Sequence, residues 1–260
     1  PYNEDGSYNV SGSAIGKGAN LLAHSYANPV PIIDLDKNTS ETTRLIANLT
    51  GEIFIYNGLS FKTIYSWDRR NTENLQFWNP LQGYSYNGYA YNNAARAENW
   101  NLINTLNYAK TFGGAHHLNI VAGHDAQNRR TTNWGGIRQD LTDDFFTQYQ
   151  GTFRINQAGG NGISEIAFES YLANISYNYG GRYFVSGNVR RDGNSALAES
   201  NRWGTFGGVS VGWTISEEHF FAGLKETFSL LRLRASYGEV GNGNLNNFYG
   251  AYNNYSIDLL

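Results

Sequence analysis

The stretch RYFVSGNVRRDGNS, residues 182–195, carries the reading of the fold. Tyr183, Val185, Gly187 and Val189 alternate with Phe184, Ser186, Asn188 and Arg190. A period of two describes a strand whose two faces meet different environments. One face accepts Tyr and Val; the other accepts Ser, Asn and Arg. The pattern predicts a strand that ends near the doubled arginine, with Asp192-Gly193 as a turn signal.

About eight segments of the chain repeat this alternation. YLANISYNY sets Tyr171, Ala173, Ile175, Tyr177 and Tyr179 against Leu172, Asn174, Ser176 and Asn178. WGTFGGVSVGWTI sets Trp203, Val209, Val211 and Trp213 against Gly204, Phe206, Gly208, Ser210 and Gly212. LRLRASYG opposes Leu231, Leu233, Ala235 and Tyr237 to Arg232, Arg234, Ser236 and Gly238. TRLIANLTGEI, LSFKTIYSWD, WNLINTLNYAK and, more weakly, HLNIVAGHD complete the set upstream. A short helix is expected only over residues 216–226, where Ser216-Glu217-Glu218 resembles an N-cap with an acidic first turn.

Connection lengths alternate. Short turns are expected around Asn57-Gly58, Gly113-Gly114 and Gly180-Gly181, and long polar loops over 69–99, 127–168 and 192–202. Residues 216–229 break the rule as a longer connection on the short side. Short turns at one end and long loops at the other are the habit of outer-membrane barrels.

Composition agrees with a membrane wall. The chain has 260 residues, is 40 % hydrophobic and carries a net charge of -3, which excludes a disordered chain. No basic excess points to nucleic acid. There are 19 Tyr and 30 Gly but no Cys and no Met. Starting at Pro1, the chain reads as mature, trimmed or a piece of something longer. No apolar window is long enough for a transmembrane helix, which leaves spanning β-strands open. Trp67, Trp100 and Trp203 lie at the long-loop ends of their strands; Tyr108, Tyr177, Tyr179, Tyr183 and Trp213 lie at the short-turn ends. Aromatics at both ends, with aliphatic residues between, match the two girdles of a barrel. The opposite face is too polar for a second sheet. Burying Asn174, Asn188 or Arg232 without partners would cost about 1–3 kcal/mol for each neutral group and more for each charge. Tyr183 and Val185 are therefore expected to face lipid, and Ser186, Asn188 and Arg190 a lumen.

RYFVSGNVRRDGNS, NRWGTFGGVSVGWTISEEHF and LRLRASYGEVGN resemble the barrel of SusC/RagA-like TonB-dependent outer-membrane transporters. The resemblance extends upstream through LNYAKTFGGAHHLNIVAG, YNGLSFKTIYSWD and TTRLIANLTGEI, and covers roughly residues 42–244. Gly207 stands where many relatives have Pro, and Ala196-Leu197 replaces a commoner Arg-Phe. The resemblance implies an all-β, antiparallel transmembrane barrel of about 22 strands, of which this chain would supply about eight. It implies an N-terminal plug, a segment that contacts TonB, and a SusD-like surface lipoprotein over the mouth. The implied cargo is an oligosaccharide or peptide, the implied location the bacterial outer membrane, and no cofactor is implied. Neither the plug nor the TonB-contact segment is expected in this chain. The expected layout is an extracellular loop region over 1–42, barrel strands with their loops over 43–240, and a further loop and strand start over 241–260. The alternative is a small self-contained outer-membrane barrel or a surface carbohydrate-binding protein.

No enzyme chemistry is expected. His116-His117 has no carboxylate cluster nearby, GEVGNGN lacks the helix of a phosphate loop, and no Ser/His/Asp set has arguable geometry. Two loops are crowded with aromatics that would stack on sugars or pack on each other. Trp78, Tyr84, Tyr86 and Trp134 are the candidate ligand contacts.

Overall fold

The computed structural model describes residues 2–10, 14–15, 22–23, 28–82, 87–143, 145–241 and 249. Two short strands, β1 (Ala14–Ile15) and β2 (Leu22–Ala23), pair antiparallel. Helix α1 (Pro29–Leu35) follows, inside the segment expected to be loop. Asn28 caps it by accepting the Val30 N–H, and Pro29 fills the first turn, where a missing N–H costs nothing.

Eight strands then form one sheet in sequence order. They are β3 (Lys37–Tyr56), β4 (Leu59–Trp78), β5 (Tyr89–Phe112), β6 (His116–Leu141), β7 (Phe153–Tyr179), β8 (Tyr183–Asn194), β9 (Trp203–Thr214) and β10 (Arg232–Gly238). The expected short turns are where the sequence puts them. At Gly58 the backbone takes φ +83°, and an added Cβ would collide with the Ala109 carbonyl oxygen, whose own residue donates its N–H to Gly58 O.

The expected long loops over 69–99 and 127–168 are mostly strand. β4 and β5 leave only residues 79–88 between them, and β6 and β7 only 142–152. β3 likewise begins at Lys37, ahead of the expected 43. Crossing a bilayer takes about 9–11 residues, and β7 has 27. Outside lipid both faces of a strand meet water, so the apolar alternation fades while the backbone ladder continues. Asp192-Gly193 is also strand rather than turn; the chain turns only after Asn194. The expected helix over 216–226 is two 3-10 turns, Ile215–Glu217 and His219–Leu224, separated by an extended Glu218.

The chain divides into two compact units. One comprises Pro1–Leu45, Arg69–Ala97 and Thr131–Ile163; the other comprises Ile46–Asp68, Glu98–Arg130 and Ser164–Leu260. The first has a small apolar cluster of Phe77, Ala90, Leu141 and Phe153, against which Tyr149 packs.

In the second unit the register of β7 to β10 separates two faces. On one, Tyr179, Tyr183, Trp213 and Leu233 form a row across the four strands; Tyr177, Val185, Val211 and Ala235 form the next, then Ile175, Gly187, Val209 and Tyr237. The other face carries Ser176, Ser186, Ser210 and Ser236 in one row, and Asn174, Asn188, Gly208 and Gly238 in the next. Ser186 and Ser210 hydroxyls are 2.7 Å apart. The apolar face is closed at its far end by Trp203, which lies opposite Gly193 and stacks with Tyr171 at 6.1 Å. Ten residues separate Tyr183 from Gly193 on β8. At about 3.3 Å each and a tilt near 40°, the two aromatic rows stand about 25 Å apart, the height of a barrel's apolar band. Trp67, expected at the end of its strand, lies inside β4, and it donates its indole N–H to Glu98 at 2.9 Å.

Candidate functional site

The polar face of the second unit holds a pocket of about 390 Å³. Arg190 is its centre. Its Nε donates to Asp192 at 2.5 Å, and its terminal nitrogen lies 3.5 Å from Asp125. Alternation continues through the doubled arginine, so Arg190, Asp192 and Asn194 share a face. Phe206 lies opposite Arg190, and its ring rests where a side chain on Gly204 would stand. Asn194 is only 7 % exposed. Its Oδ1 accepts the Ala196 N–H at 2.9 Å, and its backbone N–H donates to Arg202 O at 3.0 Å. The rim is tied down by the Ser195 hydroxyl, which accepts the Ala167 N–H at 2.8 Å.

Three buried polar atoms of residues lining this pocket have no partner among the described residues: Asp125 Oδ1, Asn194 Nδ2 and Arg202 Nε. An unsatisfied buried polar atom is costly. The pocket is bounded by Phe168 and Phe206, and its two carboxylates are matched in number by two guanidinium groups. That arrangement suits a neutral polar group. It does not suit a metal ion, and no cluster of metal-ligating side chains occurs among the described residues. Arg190 and Asp192 therefore belong to a polar wall site, which the reading of RRDG as strand end plus turn missed. The signal was present in the unbroken alternation Arg190, Asp192, Asn194.

The first unit holds a shallower groove of about 440 Å³ lined by Glu41, Asn71, Glu73, Arg96 and Trp134. Trp134 is 66 % exposed. Glu73 accepts from the Asn92 amide at 3.2 Å. Trp78 is placed differently: Tyr89 stacks on it at 4.7 Å. Of the neighbouring aromatics, Phe77 is 2 % exposed and belongs to the apolar cluster, and Tyr149 lies under the Arg138 guanidinium at 5.6 Å. Tyr84 and Tyr86 lie outside the described residues. The structure thus places Trp134 exposed in a groove and Trp78 in a stack with Tyr89, a difference that aromatic crowding alone did not show.

His116 opens β6 rather than sitting in a turn. Its Nδ1 is 2.6 Å from the Tyr177 hydroxyl, and its ring stacks on Phe112 at 5.0 Å.

No protein-family model matches the chain. Among curated proteins it is 33 % identical over 201 residues to TonB-dependent receptor P39 of Formosa agariphila, covering 74 % of this chain and 19 % of the relative. It is 27 % identical over 161 residues to TonB-dependent receptor SusC of Bacteroides thetaiotaomicron, covering 61 % of this chain and 16 % of the relative. The chain belongs to the TonB-dependent receptors. It spans about a fifth of the length of the curated relatives it matches. The fold agrees: the RagAB peptide importer in its open-open state superposes with a TM-score of 0.74 at 21 % identity, covering 95 % of this chain and 28 % of that one. These relatives are receptors and not enzymes. The sheet accordingly matches a segment of a TonB-dependent receptor barrel wall.

Proposed function

We propose that the chain forms part of the wall of a TonB-dependent importer in the bacterial outer membrane. The importer takes up oligosaccharides or peptides together with a SusD-like surface lipoprotein. The observation that carries this reading is the pair of faces in the second unit: an apolar band about 25 Å high backed by rows of Ser and Asn around a polar pocket. A polar inner face stabilises nothing unless it meets water, cargo or another polar part of the same protein. The relatives named as SusC and as a peptide importer support cargo of those two classes.

The ends of the strands carrying residues 79–88, 142–152 and 195–202 face the cell exterior in this reading, and the short turns face the periplasm. Trp134, with Glu41, Asn71 and Glu73 beside it, is the ligand contact it favours in the first unit. A small closed barrel is disfavoured, because the sheet order runs from β3 to β10 and, among the described residues, no pairing joins those two strands.

Removing the complete protein from its native cell tests the reading. Growth on an oligosaccharide or peptide source should fail, while growth on the corresponding monosaccharides or free amino acids continues. Unchanged growth on every such polymer would refute the proposal.

A further inference from the structure

The connection from β9 to β10 is longer than the other turns at its end of the sheet, and its apolar residues point outward. Phe220 is 72 % exposed, and Leu224, Phe228 and Leu230 are exposed as well, whereas Phe221 is buried. The Phe220 ring meets the Trp213 ring edge-on at 6.5 Å. Trp213 belongs to the aromatic row that ends the apolar face, opposite Tyr183 and Leu233. Phe220 therefore extends that face beyond the last row of the strands.

A single carboxylate holds the connection there. Glu218 accepts the Tyr183 hydroxyl at 2.6 Å and the Trp213 indole N–H at 3.0 Å, and Arg182 lies 3.5 Å from its other oxygen. Tyr and Trp at a membrane boundary place their rings in the apolar layer and their polar atoms toward water. Glu218 gathers two of those polar atoms and brings the extended residue between the two 3-10 turns up against the girdle. Lys225 and Glu217 form an ion pair at 3.4 Å on the same connection, supplying the charged flank of an interfacial segment.

We propose that the β9–β10 connection is a membrane-interface anchor, with Phe220 as its leading side chain and Leu224 and Phe228 beside it. They enter the boundary between head groups and acyl chains of the leaflet on the short-turn side. The occupant is the bilayer, because the apolar surface of Phe220 is continuous with the lipid-facing row of Tyr183, Trp213 and Leu233. A partner bound to the polar face would not reach a ring that packs against Trp213 of the apolar face. The inference rests on the outward assignment of the apolar face and is tested separately from it.

The test uses the complete protein, freed of any other cysteine, in vesicles of phosphatidylethanolamine and phosphatidylglycerol. Phe220→Cys is labelled with an environment-sensitive fluorophore, and quenching by shallow nitroxide lipids is compared with quenching by aqueous iodide. Val209→Cys reports on the wall, and Glu226→Cys on the watery side of the connection. We expect lipid quenching at 220 severalfold above that at 226, approaching that at 209, with little iodide quenching. If Phe220→Cys does not assemble, Leu224→Cys carries the same expectation. Lipid quenching at 209 with iodide quenching at 220 would overturn the anchor while leaving the wall in place. Protection of 220 from both quenchers would overturn it in favour of a covering protein. Loss of lipid quenching at 209 would overturn both.

Discussion

Val209 tests the depth of the wall. It lies opposite Gly187 and Tyr237, in the third row counted from Tyr183, and is exposed on the apolar face. Four residues along β8 separate its row from the Tyr183 row, and six separate it from the Trp203 row. At about 3.3 Å per residue and a tilt near 40°, it sits within about 3 Å of mid-depth. An arginine at the midplane of a barrel costs about 2–4 kcal/mol, falling to about 0–1 near an interface. Val209→Arg should therefore lower the folding equilibrium on the order of 30- to 700-fold. Val185 is two residues from the girdle, so Val185→Arg should cost far less. Arg191 shows why: it already stands on the apolar face one row below Trp203, with its guanidinium over that ring at 5.2 Å. Ser210→Asn, one position along from Val209 on the inner face, should be nearly neutral. The assay is reversible urea unfolding of the complete protein in vesicles, read by heat-modifiable mobility. Equal costs at 185 and 209, or a larger cost for Ser210→Asn than for Val209→Arg, would refute the face and depth assignments together.

Gly193→Ala should destabilise by about 1–3 kcal/mol through overpacking, since a Cβ there would stand 3.0 Å from three atoms of the Trp203 ring; a change in tryptophan fluorescence should accompany the fall in urea midpoint. The Glu218 carboxyl is held below the ordinary 4.5, first by the Tyr183 hydroxyl and then by the Trp213 indole. Because the folded value is the depressed one, its contribution is present above about pH 4.5 and is lost as pH falls through the folded value. The protection of residues 219–224 against hydrogen exchange, corrected for the intrinsic rate at each pH, should fall in acid, and Tyr183→Phe should move that onset to higher pH; an unmoved onset would show that the clamp does not hold the connection. Trp134→Ala should weaken cargo binding measured by calorimetry and leave the urea midpoint unchanged, whereas Trp78→Ala should lower the midpoint through the lost stack on Tyr89.

Period-two alternation and turn glycines were sufficient for the order of β3 to β10 and for the faces of β7 to β10, because each is a local property that backbone geometry converts directly into side-chain direction. They also marked the anomalous length of the connection after Trp213. They did not show where β4 to β7 stop, since a strand with water on both faces loses its apolar alternation while its hydrogen bonds continue. Nor did they show α1, whose seven residues are set by a cap and a proline and carry no amphipathic repeat. The pocket around Arg190 required the tertiary structure for a different reason. Asp125, Asp192, Asn194 and Arg202 come from two strands and a turn, and only the tertiary arrangement of those elements decides which charges neutralise each other and which donors are left without a partner. The same holds for Glu218, whose sequence neighbours suggested a helix cap, whereas the groups that bind it are a tyrosine from the next hairpin and the tryptophan that ends the strand before it.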